Sequence, residues 1–291
     1  MEQRSHASRW LASAASVLVI AGANAAPMQV DAVQYPAWLD RGGYSVPLTP
    51  GTQLRASDML RTGTHARVQL RLAEGSTVKL GENARFIVEK VEDRGVFRSV
   101  MHVVYGAFRF TTGALGVGRS REIDIRVRTI TAGIRGTDVW GKSTDARDLV
   151  CLLDGRVSVR ADEGEAVTLD KPRDFYQRAR EGAPQAGRVD EKQVREWSRE
   201  TEIEGGGPAA RLGGTWVVVA SKFYERNKAL ALSRELRLRG YPAEVVAEAG
   251  VQRVEVRGLA GEDAARALMA SIREVPGVAI PSISREGEAR R

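Results

Sequence analysis

Two hydrophobic periods divide this chain. From about Leu48 to Leu169, apolar and polar residues alternate in short runs broken by glycine, the period of strands with one buried face. Residues 66–72 and 77–80 alternate around Glu74-Gly75-Ser76 and predict a hairpin. Residues 85–91 and 123–128 repeat the pattern, and 150–153 reads as a strand that turns at Asp154-Gly155 into another at 156–159. Many short strands without a helical period predict an all-β unit: a β-sandwich, a barrel or a short β-solenoid.

Beyond residue 213 the period changes twice. Strand 216–220, helix 225–239, strands 243–247 and 252–257, helix 261–275 and strand 278–284 give the α+β order β-α-β-β-α-β. Ala229, Leu232 and Leu236 share one face of the first helix, which Gly240 is placed to end; Ala265, Leu268 and Ile272 share one face of the second. Both helices then cover one side of a four-stranded antiparallel sheet. If Val254 and Val256 face the helices, Arg253, Glu255 and Arg257 project from the open side, with Val217 and Val219 as an apolar floor. Sugar hydroxyls and carboxylates suit such groups. A solvated Arg/Glu ladder held by cross-strand pairing is the equal alternative.

Residues 170–212 break both periods with Lys171-Pro172, Gly182-Ala183-Pro184, a charged stretch at 190–204 and Gly205-Gly206-Gly207-Pro208. They read as a linker with one polar helix, on which Val194, Trp197 and Ile203 form a narrow stripe for docking on a neighbouring domain. The glycine-proline run leaves the last domain free to move. At the other end, Arg4 and Arg9, the apolar run 10–20 and Ala23-Asn24-Ala25 have the layout of a secretory signal cut after Ala25. The expected organisation is a signal at 1–25, an all-β domain at 26–169, the linker at 170–212, the α+β domain at 213–285 and a tail at 286–291. The expected location is the periplasm, with no transmembrane anchor after cleavage.

Charge changes this picture little. The 44 Lys+Arg and 37 Asp+Glu leave a net charge of +7 built from interspersed signs, which argues against nucleic acid as a partner. Gly136-Thr137-Asp138-Val139-Trp140-Gly141-Lys142-Ser143 fits the phosphate-loop pattern by letter, but its centre reads as strand and no helix follows. Gly113 to Gly118 has the wrong glycine order for a dinucleotide fingerprint. His65 and His102 lack partners at metal-ligand spacing, and Cys151 reads as a small core residue. Neither metal, cofactor nor enzymatic chemistry is expected.

Two resemblances add to this reading. Arg61-Thr62-Gly63-Thr64 with Gly75-Ser76, then Arg135-Gly136-Thr137, then Asp154-Gly155 leading to Val157, resemble the motif residues of FecR-type domains. The resemblance implies a sensory or interaction module, here a free-standing envelope version, in which Thr62, Gly63, Gly75, Ser76, Arg135, Gly136, Thr137, Asp154 and Gly155 have structural roles. Residues 216–223 and 253–259, in their β-α-β-β-α-β setting, resemble the SPOR domain, a ferredoxin-like fold that binds peptidoglycan glycan strands. Val219 and Ser221 stand where that family usually has Gln and Gly. This implies glycan contacts from Val219, Ser221, Arg253, Glu255 and Arg257. Together they imply a non-enzymatic periplasmic adaptor or sensory protein, held on glycan by one domain while the other meets an envelope protein or ligand. The alternative is a signalling or scaffold protein whose last domain binds protein, and a cell-wall hydrolase is the third reading.

Overall fold

The structure, a computed structural model, describes residues 27–114, 120–161 and 164–287. The expected secretory signal at 1–25 lies outside the described residues. The described residues are mostly β, 54% strand and 13% helix, with three helices among them in the C-terminal part.

The first strands are short: β1 (Met28–Gln34), β2 (Ala37–Arg41), β3 (Tyr44–Pro47), β4 (Gln53–Leu54), β5 (Met59–Thr62), β6 (Arg67–Leu72) and β7 (Thr77–Leu80). Longer ones follow: β8 (Arg85–Arg94), β9 (Val96–Thr111), β10 (Ser120–Val127), β11 (Ile130–Ser143) and β12 (Arg147–Ala161), then β13 (Val167–Leu169), β14 (Asp174–Ala179) and β15 (Gln185–Arg188). The first half of β9 runs antiparallel to β8 and parallel to β10, and its second half lies between β7 and β11. Gly106 sits between the halves with φ +90°, where a Cβ would come 2.6 Å from the Ala84 Cα. A side chain there would collide with backbone, so the bend requires glycine.

β11 and β12 also change partners midway, which creates two arms of sheet sharing three strands. One arm runs β3-β2-β5-β8-β9-β10-β11-β12-β13. The other runs β1-β6-β7-β9-β11-β12-β14-β15. Inward residues of both, such as Phe86, Met101 and Val159 from the first and Leu70, Phe108 and Leu152 from the second, join one core. The alternation seen in the sequence is this inward face.

The hairpin expected at 150–159 is instead the single strand β12. Asp154-Gly155 lies at a register shift, with Gly155 at φ +84° opposite the β11 stretch that contains Gly136 at φ +72°. Arg135 and Gly136 together face one residue, a bulge that redirects both strands from one arm to the other. Turns and bulges draw on the same glycine conformation, so the residues alone read as a turn.

The segment expected to be a linker is built into the fold. β14 pairs with β12, and α1 (Glu191–Arg199) lies on the outer side of the second arm. Trp197 stacks on Trp140 with ring centroids 4.7 Å apart and planes at 3°, and Val194 and Phe175 help enclose Ala107, Leu149 and Cys151. Helix docking thus uses Val194 and Trp197, without Ile203. The chain next crosses the arm through Glu200 on Lys142 at 2.7 Å and Glu202 on Lys79 at 2.5 Å and on Arg109 at 3.1 Å. The Gly205–Pro208 run is anchored where it ends: the Tyr35 amide donates to the Pro208 carbonyl at 3.1 Å, and β16 (Ala209–Arg211) pairs with β1.

The C-terminal elements are β17 (Trp216–Phe223), α2 (Arg226–Leu238), β18 (Glu244–Glu248), β19 (Val251–Leu259), α3 (Glu262–Ile272) and β20 (Ser282–Arg285). Their sheet order is β18-β19-β17-β20, all antiparallel. β20 starts later than expected, after Ile280 at φ +49° and Pro281. Ala229, Leu232, Leu236, Ala265, Leu268 and Ile272 bury against Val218, Val254 and Val256. This sheet is not set apart. β16 joins β19 to β1, the Trp38 indole donates to the Leu238 carbonyl at 3.2 Å, and the Ala37 amide donates to the Gly240 carbonyl at 3.3 Å.

Candidate binding surfaces

The open side of the C-terminal sheet is set by register. Val219 lies opposite Glu255, and Val218 opposite Val256. Since Val218 and Val256 bury against the helices, their neighbours in the strands, Val217, Val219, Glu255 and Arg257, take the open side. Arg253, Glu255, Arg257 and Val217 line a cavity of about 460 Å³ there, together with Glu248 and Glu286. Ser221 is displaced from this group. A register shift between Val219 and Ser221 places Ser221 opposite Val254, on the helix side, and brings Lys222 opposite Arg253 instead.

Inside the cavity the charges are paired among themselves. The Glu255 carboxylate is 0% exposed and meets Arg253 at 2.6 Å and Arg257 at 2.7 Å. Arg253 also pairs with Glu248, and Arg257 approaches Glu286 at 3.7 Å. Arg253 is 12% exposed and Arg257 41%, so Arg257 is the group a ligand meets first. A buried carboxylate between two guanidiniums is retained only while both remain, because removing one leaves an uncompensated buried charge.

The motif residues of the β strands, drawn from both arms, act mostly on backbone. The Thr62 hydroxyl donates to the Gly81 carbonyl at 2.7 Å and accepts the Ala84 amide at 2.8 Å, tying β5 to the turn before β8. Gly63 lies against Pro36, where a Cβ would come within 2.8 Å of the ring. Gly75 turns at φ +97°; the Ser76 amide donates to buried Glu74 at 2.8 Å, and Arg121 reaches Glu74 at 3.3 Å and the Ser76 hydroxyl at 2.9 Å. Thr137 donates its amide to the Thr112 hydroxyl at 2.8 Å. Asp154 stands opposite Asp138 beside the bulge. Arg135, Gly136 and Gly155 line a second, open cavity of about 1450 Å³.

The phosphate-loop lookalike is strand throughout. Gly141, Lys142 and Ser143 end β11; Lys142 pairs with Glu200, and the buried Ser143 hydroxyl donates to Asp148 at 2.7 Å. His65 is exposed, and His102 lies 3.3 Å from Glu89. Burial, and then Asp174, push the Cys151 thiol up to about 12, so it is an un-ionised core group at neutral pH. Burial raises the Asp148 carboxyl, but hydrogen bonds from Arg180, Thr129 and Ser143 outweigh it and hold the group below its usual range. The sequence carried no local sign of this cluster, because its members come from β11, β12, the turn at Thr129 and the residue after β14.

Comparison with curated proteins gives no match. Two crystal structures of a candidate anti-sigma factor from Parabacteroides distasonis show partial similarity. One, with 17% identity and a TM-score of 0.40, covers 48% of this chain and 64% of that one, so the chain spans less than two thirds of its length. The other has 15% identity and a TM-score of 0.41, covering 75% of this chain and 91% of that one. A family model described as FecR protein matches residues 58–158, a stretch that begins just before β5 and takes in the paired bulge of β11 and β12. Residues 58–158 are a FecR domain.

Proposed function

We propose that this protein is a non-enzymatic periplasmic adaptor whose FecR domain engages a protein partner while its C-terminal sheet holds peptidoglycan glycan strands. The observation that carries the reading is the cavity on the open side of that sheet, where Arg253, Glu255 and Arg257 gather over Val217. Amino-sugar hydroxyls would take hydrogen bonds from the guanidiniums, and the lactyl carboxylate would compete with Glu286 for Arg257. Of the residues named by the SPOR resemblance, Arg253, Glu255 and Arg257 support it, while Ser221 lies on the other side of the sheet; the signal-like start of the sequence supports export.

The test is retention of the full chain on purified sacculi, intact and amidase-treated, for the wild type and Arg257→Ala. Arg257 is the suitable target because it is the more exposed of the two guanidiniums, 41% against 12%; its loss also strips a partner from buried Glu255, so urea unfolding of the variant is read alongside to separate lost folding from lost binding. Retention that rises after amidase treatment and drops about tenfold in the variant is expected for loss of charge-assisted bonds to sugar. Equal retention of both proteins, or none, would turn the Arg253-Glu255-Arg257 set into a structural ladder. The internal pairing of these charges favours that second reading, and the C-terminal unit would then be a scaffold or protein-binding element.

A further inference from the structure

The first arm carries a trough that the motif residues leave unexplained. Asp124, Gly133, Ser158 and Thr168 face one another across β10, β11, β12 and β13, a row of short side chains that lowers the floor over four strands. Beside this row the bulge sets Arg135 and Gly136 against Arg156, with Gly155 next along β12. No side chain could be added at Gly155 without striking the Gly136 carbonyl, so the two glycines hold the strands close and keep the centre of the trough bare. Neither Arg135 nor Arg156 has an acidic partner among the described residues, while nearby Arg98 and Arg126 are held by Glu122 at 2.7 Å and by Glu89 at 2.8 Å. Asp124 and Asp170, at opposite margins, are likewise without ion pairs among the described residues.

We infer that this trough is the docking surface for an extended acidic segment of a protein partner, with Arg135 and Arg156 receiving its carboxylates. This rests on the adaptor reading and gives its partner a chemistry. The size argues for a polypeptide over a metabolite, since the cavity of about 1450 Å³ exceeds the roughly 300–1,000 Å³ of small-molecule sites. The charge order adds register. Two central guanidiniums, flanked by Glu122 and Asp124 from β10 and by Asp170 after β13, fit a segment acidic at its centre and rich in hydroxyls or cations at its ends. Exposed, unpaired guanidiniums also lose less hydration on meeting carboxylate than ammonium groups would, which favours arginine at such a place.

The experiment is fluorescence anisotropy of the full chain with a fluorescein-labelled peptide bearing Asp-Glu-Asp between serine and threonine residues, against the same peptide with Asn-Gln-Asn. The acidic peptide should bind and weaken with added salt; R135Q/R156Q should lower affinity about tenfold or more, and R147Q/R178Q, on the other arm, should leave it unchanged. Gly133→Phe fills the floor without altering charge, and a Cβ there meets nothing closer than 3.6 Å, so it should block binding in a folded protein. Failure of the acidic peptide to bind, equal binding of both peptides, or equal loss in the two double variants would overturn the proposal. Sacculus retention is read separately, so failure here is distinguishable from failure of the glycan half of the adaptor reading.

Discussion

Asp148 shows how much one buried side chain organises. Its carboxylate is 0% exposed, takes a bidentate pair from Arg180 at 2.7 and 2.8 Å, and accepts the Thr129 and Ser143 hydroxyls at 2.6 and 2.7 Å. Asparagine keeps one acceptor oxygen but turns an NH2 toward donors and leaves Arg180 without its counter-charge, so Asp148→Asn should lower stability by about 2–4 kcal/mol in urea unfolding. The pH dependence has a fixed sign. The folded carboxyl is held below its unfolded value, so its contribution is complete above the ordinary carboxylate pKa of about 3.9 and disappears as pH falls through the folded value. Asp40, lowered chiefly by its hydrogen bond from Arg61, acts in the same direction. Wild-type stability should therefore fall on acidification, and the Asn variant should fall less steeply. Parallel curves would mean that Asp148 does not report this linkage.

Elements show where local period suffices and where it fails. Val254 and Val256 alternate with Arg253 and Arg257, and the structure keeps that division. Ser221 was misplaced because one extra residue in β17 reverses every face after it, and nothing in Val218-Val219-Ala220-Ser221 marks that position. The parallel pairing of β9 with β10 joins residues 24 apart, such as Val96 with Ser120, and no period along one strand reveals it. Helix α1 is a third case. Its stripe was legible, but its counterpart, Trp140, lies on a strand more than fifty residues earlier. Trp197→Ala should remove about 2 kcal/mol of packing from this half-buried stack and open the outer side of the second arm locally. Thiol labelling checks this, because Cys151 is buried beneath the same cluster. Labelling should be slow in the wild type and faster in the variant well below the urea needed for global unfolding. An unchanged rate would mean that α1 does not guard this face.

At the scale of the molecule, the C-terminal sheet is coupled to the FecR domain because the segment between them is held at several points. The ion pairs of Glu200 and Glu202, β16 between β1 and β19, and the meeting of Trp38 and Tyr35 with the end of α2 form one junction. Composition hid this, since Gly205-Gly206-Gly207-Pro208 is the same whether it floats or, as here, leads directly into a three-residue strand. Gly240 is the sharpest probe. Its φ is +83°, and a Cβ would lie 2.8 Å from the Trp38 ring and 3.0 Å from Pro36. Gly250 has the same conformation, φ +82°, with nothing within 4 Å. Gly250→Ala should cost about 1 kcal/mol from backbone strain alone. Gly240→Ala adds a collision at the junction, which packed rings cannot absorb without shifting, worth about 1–3 kcal/mol more. Hydrogen exchange should then find β16 and the 205–208 run opened in Gly240→Ala and protected in Gly250→Ala. If both variants keep that segment protected and lose the same stability, the junction carries no energy. A ligand on the C-terminal sheet would then have no route through these contacts to the FecR domain.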